Sequence, residues 1–102
     1  MEEISLKMEG HKRGIFLAKD GIEELGEMIF EIEGTALTVY HTEVEQKANG
    51  TGLAKRILEK MVAFARDKSL MVIPMCPFVH IQFERHPELY KDIWKDHEST
   101  KS

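Results

Sequence analysis

His41-Thr42-Glu43-Val44-Glu45-Gln46-Lys47-Ala48-Asn49-Gly50-Thr51-Gly52-Leu53-Ala54 is the stretch on which the reading of this chain turns. Strand-forming residues give way to a short polar loop, then to Gly-x-Gly at the mouth of an amphipathic helix. That is the layout of an anion site. Glycines let the backbone come close to a phosphate, and the first N–H groups of a helix have no partner of their own. The expectation is a phosphorylated cofactor held at the first turn of the main helix.

Working outward, the upstream segment reads as sheet. Gly14 to Lys19 is a strand, and Asp20-Gly21 is a hairpin-turn signal. From about Glu24 to Glu33, Met28, Phe30 and Ile32 alternate with Glu27, Ile29, Glu31 and Glu33, as in a sheet with one buried face. Gly34-Thr35 turns the chain into a third strand, Ala36 to Val44, completing an antiparallel meander. Ile4 to Met8 is a short candidate edge strand.

Downstream, the period changes. From Thr51 to about Lys68, Leu53, Ile57, Met61 and Phe64 or Ala65 share one stripe of a helix, flanked by Ala54, Leu58 and Val62. Leu70 to Met75 is almost wholly apolar, as expected of a strand covered on both faces. A strand-helix-strand crossover of this length implies a right-handed parallel pair. Pro77 suits the first turn of a helix over Phe78 to Arg85, with Val79, Phe83 and Phe78 inward, and His86-Pro87 stops it. Glu88 to Lys95 reads as a last short helix anchored by Leu89, Ile93 and Trp94. Residues 97–102 are expected to be a frayed tail.

Composition narrows the classes. The chain has 102 residues, enough for one small domain, and a formal net charge of -4, which argues against general nucleic-acid binding. One cysteine excludes an intrachain disulfide. Met1 to Ser5 lacks the regions of a signal peptide, and Leu70 to Ile73 is too short to span a bilayer, so a soluble cytoplasmic protein without membrane contact is expected.

Taken alone, Gly50-x-Gly52 reads equally as plain turn chemistry. Its setting, after a strand, before a helix and beside Lys47, favours phosphate. The glycine spacing does not fit a Rossmann site, and no Gly-Lys-Ser/Thr of a P-loop is present. Cys76 has two readings: a small buried hydrophobe, or a thiol activated by the helix that Pro77 opens. His41 and Glu43, two apart on one strand face, are either ordinary sheet residues or a base and its partner. His80, Glu84 and His86 lack a recognised metal-ligand spacing, so no metal is expected. The glutamates between Glu23 and Glu33 are most simply a wet face, one that would also attract a cationic amine.

Lys47-Ala48-Asn49-Gly50-Thr51-Gly52 resembles the Gln/Arg-x-x-Gly-x-Gly/Ala motif of the GNAT family of N-acetyltransferases. His41-Thr42-Glu43-Val44, Ile73-Pro74-Met75-Cys76-Pro77-Phe78-Val79 and Phe83-Glu84-Arg85-His86-Pro87 are similar to the small YjdJ-type subfamily, and the likeness runs from about His11 to Pro87. The resemblance implies an α+β GNAT fold: an antiparallel meander, then a β-α-β crossover, with a central helix on a mixed sheet and short C-terminal helices. It implies acetyl-coenzyme A as cofactor and an amine as acceptor, with oligomeric state open. The pyrophosphate would lie on the amides of Ala48 to Leu53, within a set of binding residues comprising Lys47, Asn49, Gly50, Thr51, Gly52, Leu53 and Ala54. The pantetheine arm would run between the strand ending at Val44 and the one ending at Met75, beside Thr42, Val44, Pro77 and Phe78. Cys76, His41 and Glu43 are the candidate catalytic residues.

Two departures stand out. Lys47 replaces the usual Gln or Arg, keeping a cation but losing the planar fork. Phe83 falls where many members carry a tyrosine that protonates the departing thiolate, and it has no proton to give. A coenzyme A-binding module without turnover is therefore the alternative, and an interaction domain without ligand a third possibility.

Overall fold

The computed structural model describes residues 2–95; the tail expected over residues 97–102 lies outside them. Five strands form one sheet in the order β1-β2-β3-β4-β5. They are β1 (Glu3–Glu9), β2 (Arg13–Asp20), β3 (Glu23–Glu33), β4 (Ala36–Val44) and β5 (Met71–Pro74). The first four are antiparallel neighbours, and β5 lies parallel to β4, from Ala36 opposite Met71 to Val39 opposite Pro74. The crossover between them carries α1 (Leu53–Asp67), and α2 (Pro77–Arg85) and α3 (Pro87–Tyr90) follow β5. This is the mixed α+β architecture expected, with the candidate edge strand at Ile4 to Met8 present as β1.

The periodicity of α1 fixes which face of the sheet is covered. Leu53, Ile57, Leu58, Met61, Val62 and Ala65 are buried, and they meet Phe16 and Ala18 of β2, Met28 and Phe30 of β3, and Leu37 and Val39 of β4. Phe16, Phe30 and Phe64 touch with ring centroids 5.3 to 5.9 Å apart, which welds the helix to the sheet. The opposite face, carrying Glu27, Glu31 and Lys7, is left to solvent.

The C-terminal end differs from expectation. α3 is one turn only, because Ile93 and Trp94 are taken up elsewhere: Val72 donates to the Ile93 carbonyl at 2.6 Å, and Trp94 bridges Val72 as a short extension of the sheet. Tyr90, stacked on Phe83 with centroids 4.8 Å apart, is the buried anchor, whereas Leu89 is exposed. Arg66 fastens this end to α1 through two 3.0 Å bonds to the Asp92 carboxylate and one to the Leu89 carbonyl. Nor is the apolar segment covered on both faces. Val72 is buried, but its neighbours in β5 are half-buried and Met75 is exposed, because β5 is the last strand of the sheet.

Candidate functional site

β4 has two unlike halves. Ala36 to Val39 pair on both sides, with β3 and with β5. Between Val39 and His41 the register against β3 slips by one, leaving Tyr40 as an extra residue, while β5 ends at Pro74. The last link across is the Cys76 N–H to the Val39 carbonyl, 2.9 Å. Beyond it β4 continues to Val44 without β5 beside it.

The extra residue also reverses the faces of the strand. Val39 faces α1 opposite Phe30. Past Tyr40, it is Thr42, opposite Met28, and Val44, opposite Gly26, that turn to the helix side, while His41 and Glu43 turn to the open side opposite Ile29 and Glu27. The Glu45 N–H bonds the Leu25 carbonyl at 2.8 Å, so by the antiparallel alternation residues 41, 43 and 45 bond β3. The N–H and C=O groups of Thr42 and Val44 then face the edge that β5 has left.

The chain enters the glycine loop directly from this edge. Gln46 to Ala48 make one 3-10 turn, and Gly50 and Gly52 take φ of 80° and 83°, left-handed values that a side chain resists. Gly52 is the N-cap of α1, and the first helical bond runs from the Arg56 N–H to its carbonyl at 3.0 Å. The N–H groups of Leu53, Ala54 and Lys55 thus point out of the helix end with no intrahelical acceptor, and the helix dipole adds a partial positive charge there. The amides of Ala48, Asn49 and Thr51 are already used, donating to the carbonyls of Glu45, Gln46 and Ala48. Three amides of the row expected from Ala48 to Leu53 are thus engaged within the loop itself. A Cβ at Gly50 would meet no atom within 4 Å, so the space over the loop is open.

Lys47 lines a cavity beside the loop together with Ala48, Thr51 and Leu53, and its ammonium pairs there with the Glu23 carboxylate. Arg56, one turn into α1, is a second cation at the loop. Its guanidinium donates to the Thr51 carbonyl at 2.9 Å and pairs with Glu2. Only its position one turn into the helix could have suggested this role.

The three candidate catalytic residues do not converge on one face. Cys76, the N-cap of α2, is 2% exposed, and its thiol donates to the Thr42 hydroxyl at 3.3 Å on the helix side. His41 and Glu43 are on the open side, exposed, with Nε2 and Oε1 3.3 Å apart. Glu27 joins them, its ligand atom within 4.8 Å of theirs. A small cavity of about 120 Å³ beside Glu43 is lined by Glu24, Glu27 and Glu45 as well. Between the two groups lies the unpaired edge of β4. Pro77 and Phe78 open α2 next to Cys76, with Phe78 packed against the core.

Phe83 is fully buried between Tyr90 and Trp94. Its ring serves the core, not a proton transfer. His80 and His86 each lie near one glutamate, Glu84 at 3.5 Å and Glu88 at 3.6 Å, and His80 packs edge-on against Trp94. No helix of the described residues is long and apolar enough to cross a membrane.

Solved structures share the fold, among them the following three. The ribosomal-protein-S18-alanine N-acetyltransferase of Escherichia coli matches with a TM-score of 0.61 and 13% identity, over 65% of this chain and 43% of that one. The ribosomal-protein-alanine N-acetyltransferase of Brucella melitensis biovar Abortus 2308 gives 0.60 and 22%, over 81% and 62%. A GCN5-like protein of Staphylococcus aureus gives 0.62 and 23%, over 88% and 86%. The chain thus spans less than two thirds of the first two, and identities this low establish the shared fold alone. No curated protein matches the sequence. A profile of the GCN5-related N-acetyl-transferase family matches residues 15–93, most of the chain, and the protein belongs to that family.

Proposed function

We propose that the protein transfers an acetyl group from acetyl-coenzyme A to an amine, as a small member of the YjdJ-type subfamily. The observation that carries this reading is the edge of β4 from Thr42 to Val44, open where β5 ends and continuous with a helix N-terminus at Gly52. The pyrophosphate belongs on the outward N–H groups of Leu53, Ala54 and Lys55, with Arg56 adding positive charge. The pantetheine, an extended amide chain, suits the vacant edge of β4 in the place of a strand. The Val44 N–H then donates to the thioester carbonyl, where negative charge grows as the bond to sulfur breaks.

The two faces of β4 divide the remaining work. An amine must lose its proton before it attacks, and Glu43 with His41 takes it on the open side. The acidic cavity beside Glu43 favours an acceptor that is cationic in solution. The amine lone pair attacks the carbonyl carbon, the C–S bond breaks, and the nitrogen of the adduct gives up its remaining extra proton to solvent. The thiolate leaves on the helix side, where the thiol of Cys76 protonates it and is itself reprotonated from solvent. The sharper variant, an acetyl-Cys76 intermediate, requires the buried thiol to leave Thr42. Intact mass after incubation with acetyl-coenzyme A checks it: full activity in Cys76→Ser with no adduct on the unaltered protein would sink it.

A binding module without turnover is the second reading, favoured by the burial of Phe83 away from any transfer. Calorimetry with acetyl-coenzyme A, followed by continuous thiol release over a panel of amines, separates the two. Binding with amine-dependent thiol release supports the enzyme. Binding without release for any amine supports the module, and no binding contradicts both.

A further inference from the structure

The two edges of the sheet are finished differently. At β5 the returning chain covers the edge, with the Lys95 N–H on the Val72 carbonyl at 2.9 Å and Trp94 bridged to Val72. Among the described residues nothing equivalent covers β1. Six of its seven residues are exposed. Its ladder with β2 runs from Glu3 opposite Lys19 to Glu9 opposite Arg13 without a register shift, and it contains no proline. Half of its N–H and C=O groups therefore point outward in regular array, the arrangement that accepts another strand.

The side chains of β1 specify which strand. Ile4, Leu6 and Met8 sit opposite the buried Ala18, Phe16 and Gly14, so the even positions share the helix side and Glu3, Ser5 and Lys7 share the open side. An antiparallel partner of identical sequence keeps the faces matched only in alternate registers. Centred on Leu6, it opposes Glu3 to Glu9, two like charges. Centred on Lys7, it opposes that lysine to itself. Centred on Ile4, it pairs no charges of opposite sign. Centred on Ser5, it sets Glu3 of each copy against Lys7 of the other and brings Ile4 against Leu6. Centred on Met8, it also sets Lys7 against Glu9 but overlaps only three residues of β1. Of the registers that overlap five or more, only the one about Ser5 gives two attractive pairs and no repulsive one.

The helix side has room for the contact. Leu6 and Met8 are 37% and 40% exposed, and a groove of about 610 Å³ runs between β1 and α1, from Ile4 to Arg56 and Lys60. We infer that β1 pairs antiparallel with β1 of a second copy of this chain about Ser5, joining two sheets into one and leaving both β4 edges free.

Sedimentation velocity of the full chain, over a concentration series reaching millimolar, tests this. A monomer–dimer equilibrium is expected. Glu3→Lys and Lys7→Glu each convert two attractive pairs into two repulsive ones and should weaken the dimer about tenfold or more. The double variant Glu3→Lys/Lys7→Glu restores both pairs and should return the affinity to near the original. Circular dichroism confirms that these surface changes leave the fold intact. In addition, Ser5→Cys should cross-link to itself with diamide as oxidant while Lys7→Cys should not, Cys76 being buried. A chain that stays monomeric throughout, a dimer indifferent to the single charge changes, or a double variant that fails to recover would each overturn the inference.

Discussion

The two halves of β4 belong to one strand, yet they do opposite things. Ala36 to Val39 are held on both sides and carry Leu37 and Val39, which are fully buried. Tyr40 to Val44 are held by β3 alone, and their side chains are polar or half-exposed. The first half spends its backbone hydrogen bonds on the sheet and its side chains on the core. The second half keeps an edge and two faces available. A single extra residue at Tyr40, coinciding with the end of β5, makes the difference. The lesson is that a sheet can make a binding edge by stopping one strand early, provided the neighbour is anchored on its other side.

Substitutions in the two halves should therefore report different things. Leu37→Ala, in the framework half, should cost about 2–5 kcal/mol of stability by leaving a cavity under α1, read as a lower denaturant midpoint. Glu43→Gln, in the open half, should barely move that midpoint. It should lower the turnover number by about a hundredfold with cofactor affinity unchanged, if Glu43 takes the amine proton. A loss of stability at Glu43 or a loss of cofactor affinity would erase the distinction. Gly50→Asp places a negative charge in the open space above the loop and should weaken acetyl-coenzyme A about tenfold or more in calorimetry. Gly50→Ala carries the same backbone strain without the charge and should weaken it less.

The smallest effect concerns the far end. Arg66 holds the Asp92 carboxyl below the usual carboxylate range through its hydrogen bonds. A group depressed in the folded state stabilises fully above its unfolded value of about 3.9, and that contribution is lost as the pH falls towards the folded value. Asp92 is mostly exposed, so the contribution at neutral pH should be under about 1 kcal/mol. Asp92→Asn should flatten the loss of thermal stability below about pH 4 without touching the β4 edge or cofactor binding.

Much of this was legible because the relevant signals are local. The meander, the stripe of α1, and the proline that opens α2 follow from alternation, period and ring chemistry within a few residues. Gly50 and Gly52 announced the loop because only glycine takes those φ values without strain. The bulge at Tyr40 was not legible. No glycine or proline marks it, and its cause is the register of β3 against β4. Without it His41 and Glu43 would share the face of Val39, so the separation of those two residues from Cys76 could not be foreseen. Lys47 was read as a phosphate partner because proximity in sequence was all there was to see. Its ion pair with Glu23 could not be seen there, because the two are 24 positions apart. The same limit hid the pairing of Val72 with Trp94, which shortened the last helix, and the use of Tyr90 instead of Leu89 as its anchor.

The central claim is that the open half of β4 and the N-terminus of α1 together form the acetyl-coenzyme A site. Amide chemical shifts of the labelled protein, followed while acetyl-coenzyme A is added, test it most directly. The largest movements should fall on Gly50, Gly52, Leu53 and Ala54 and on Thr42 to Val44, with Ala36 to Val39 nearly still. Movements confined to other elements, or none at saturating cofactor, would contradict it.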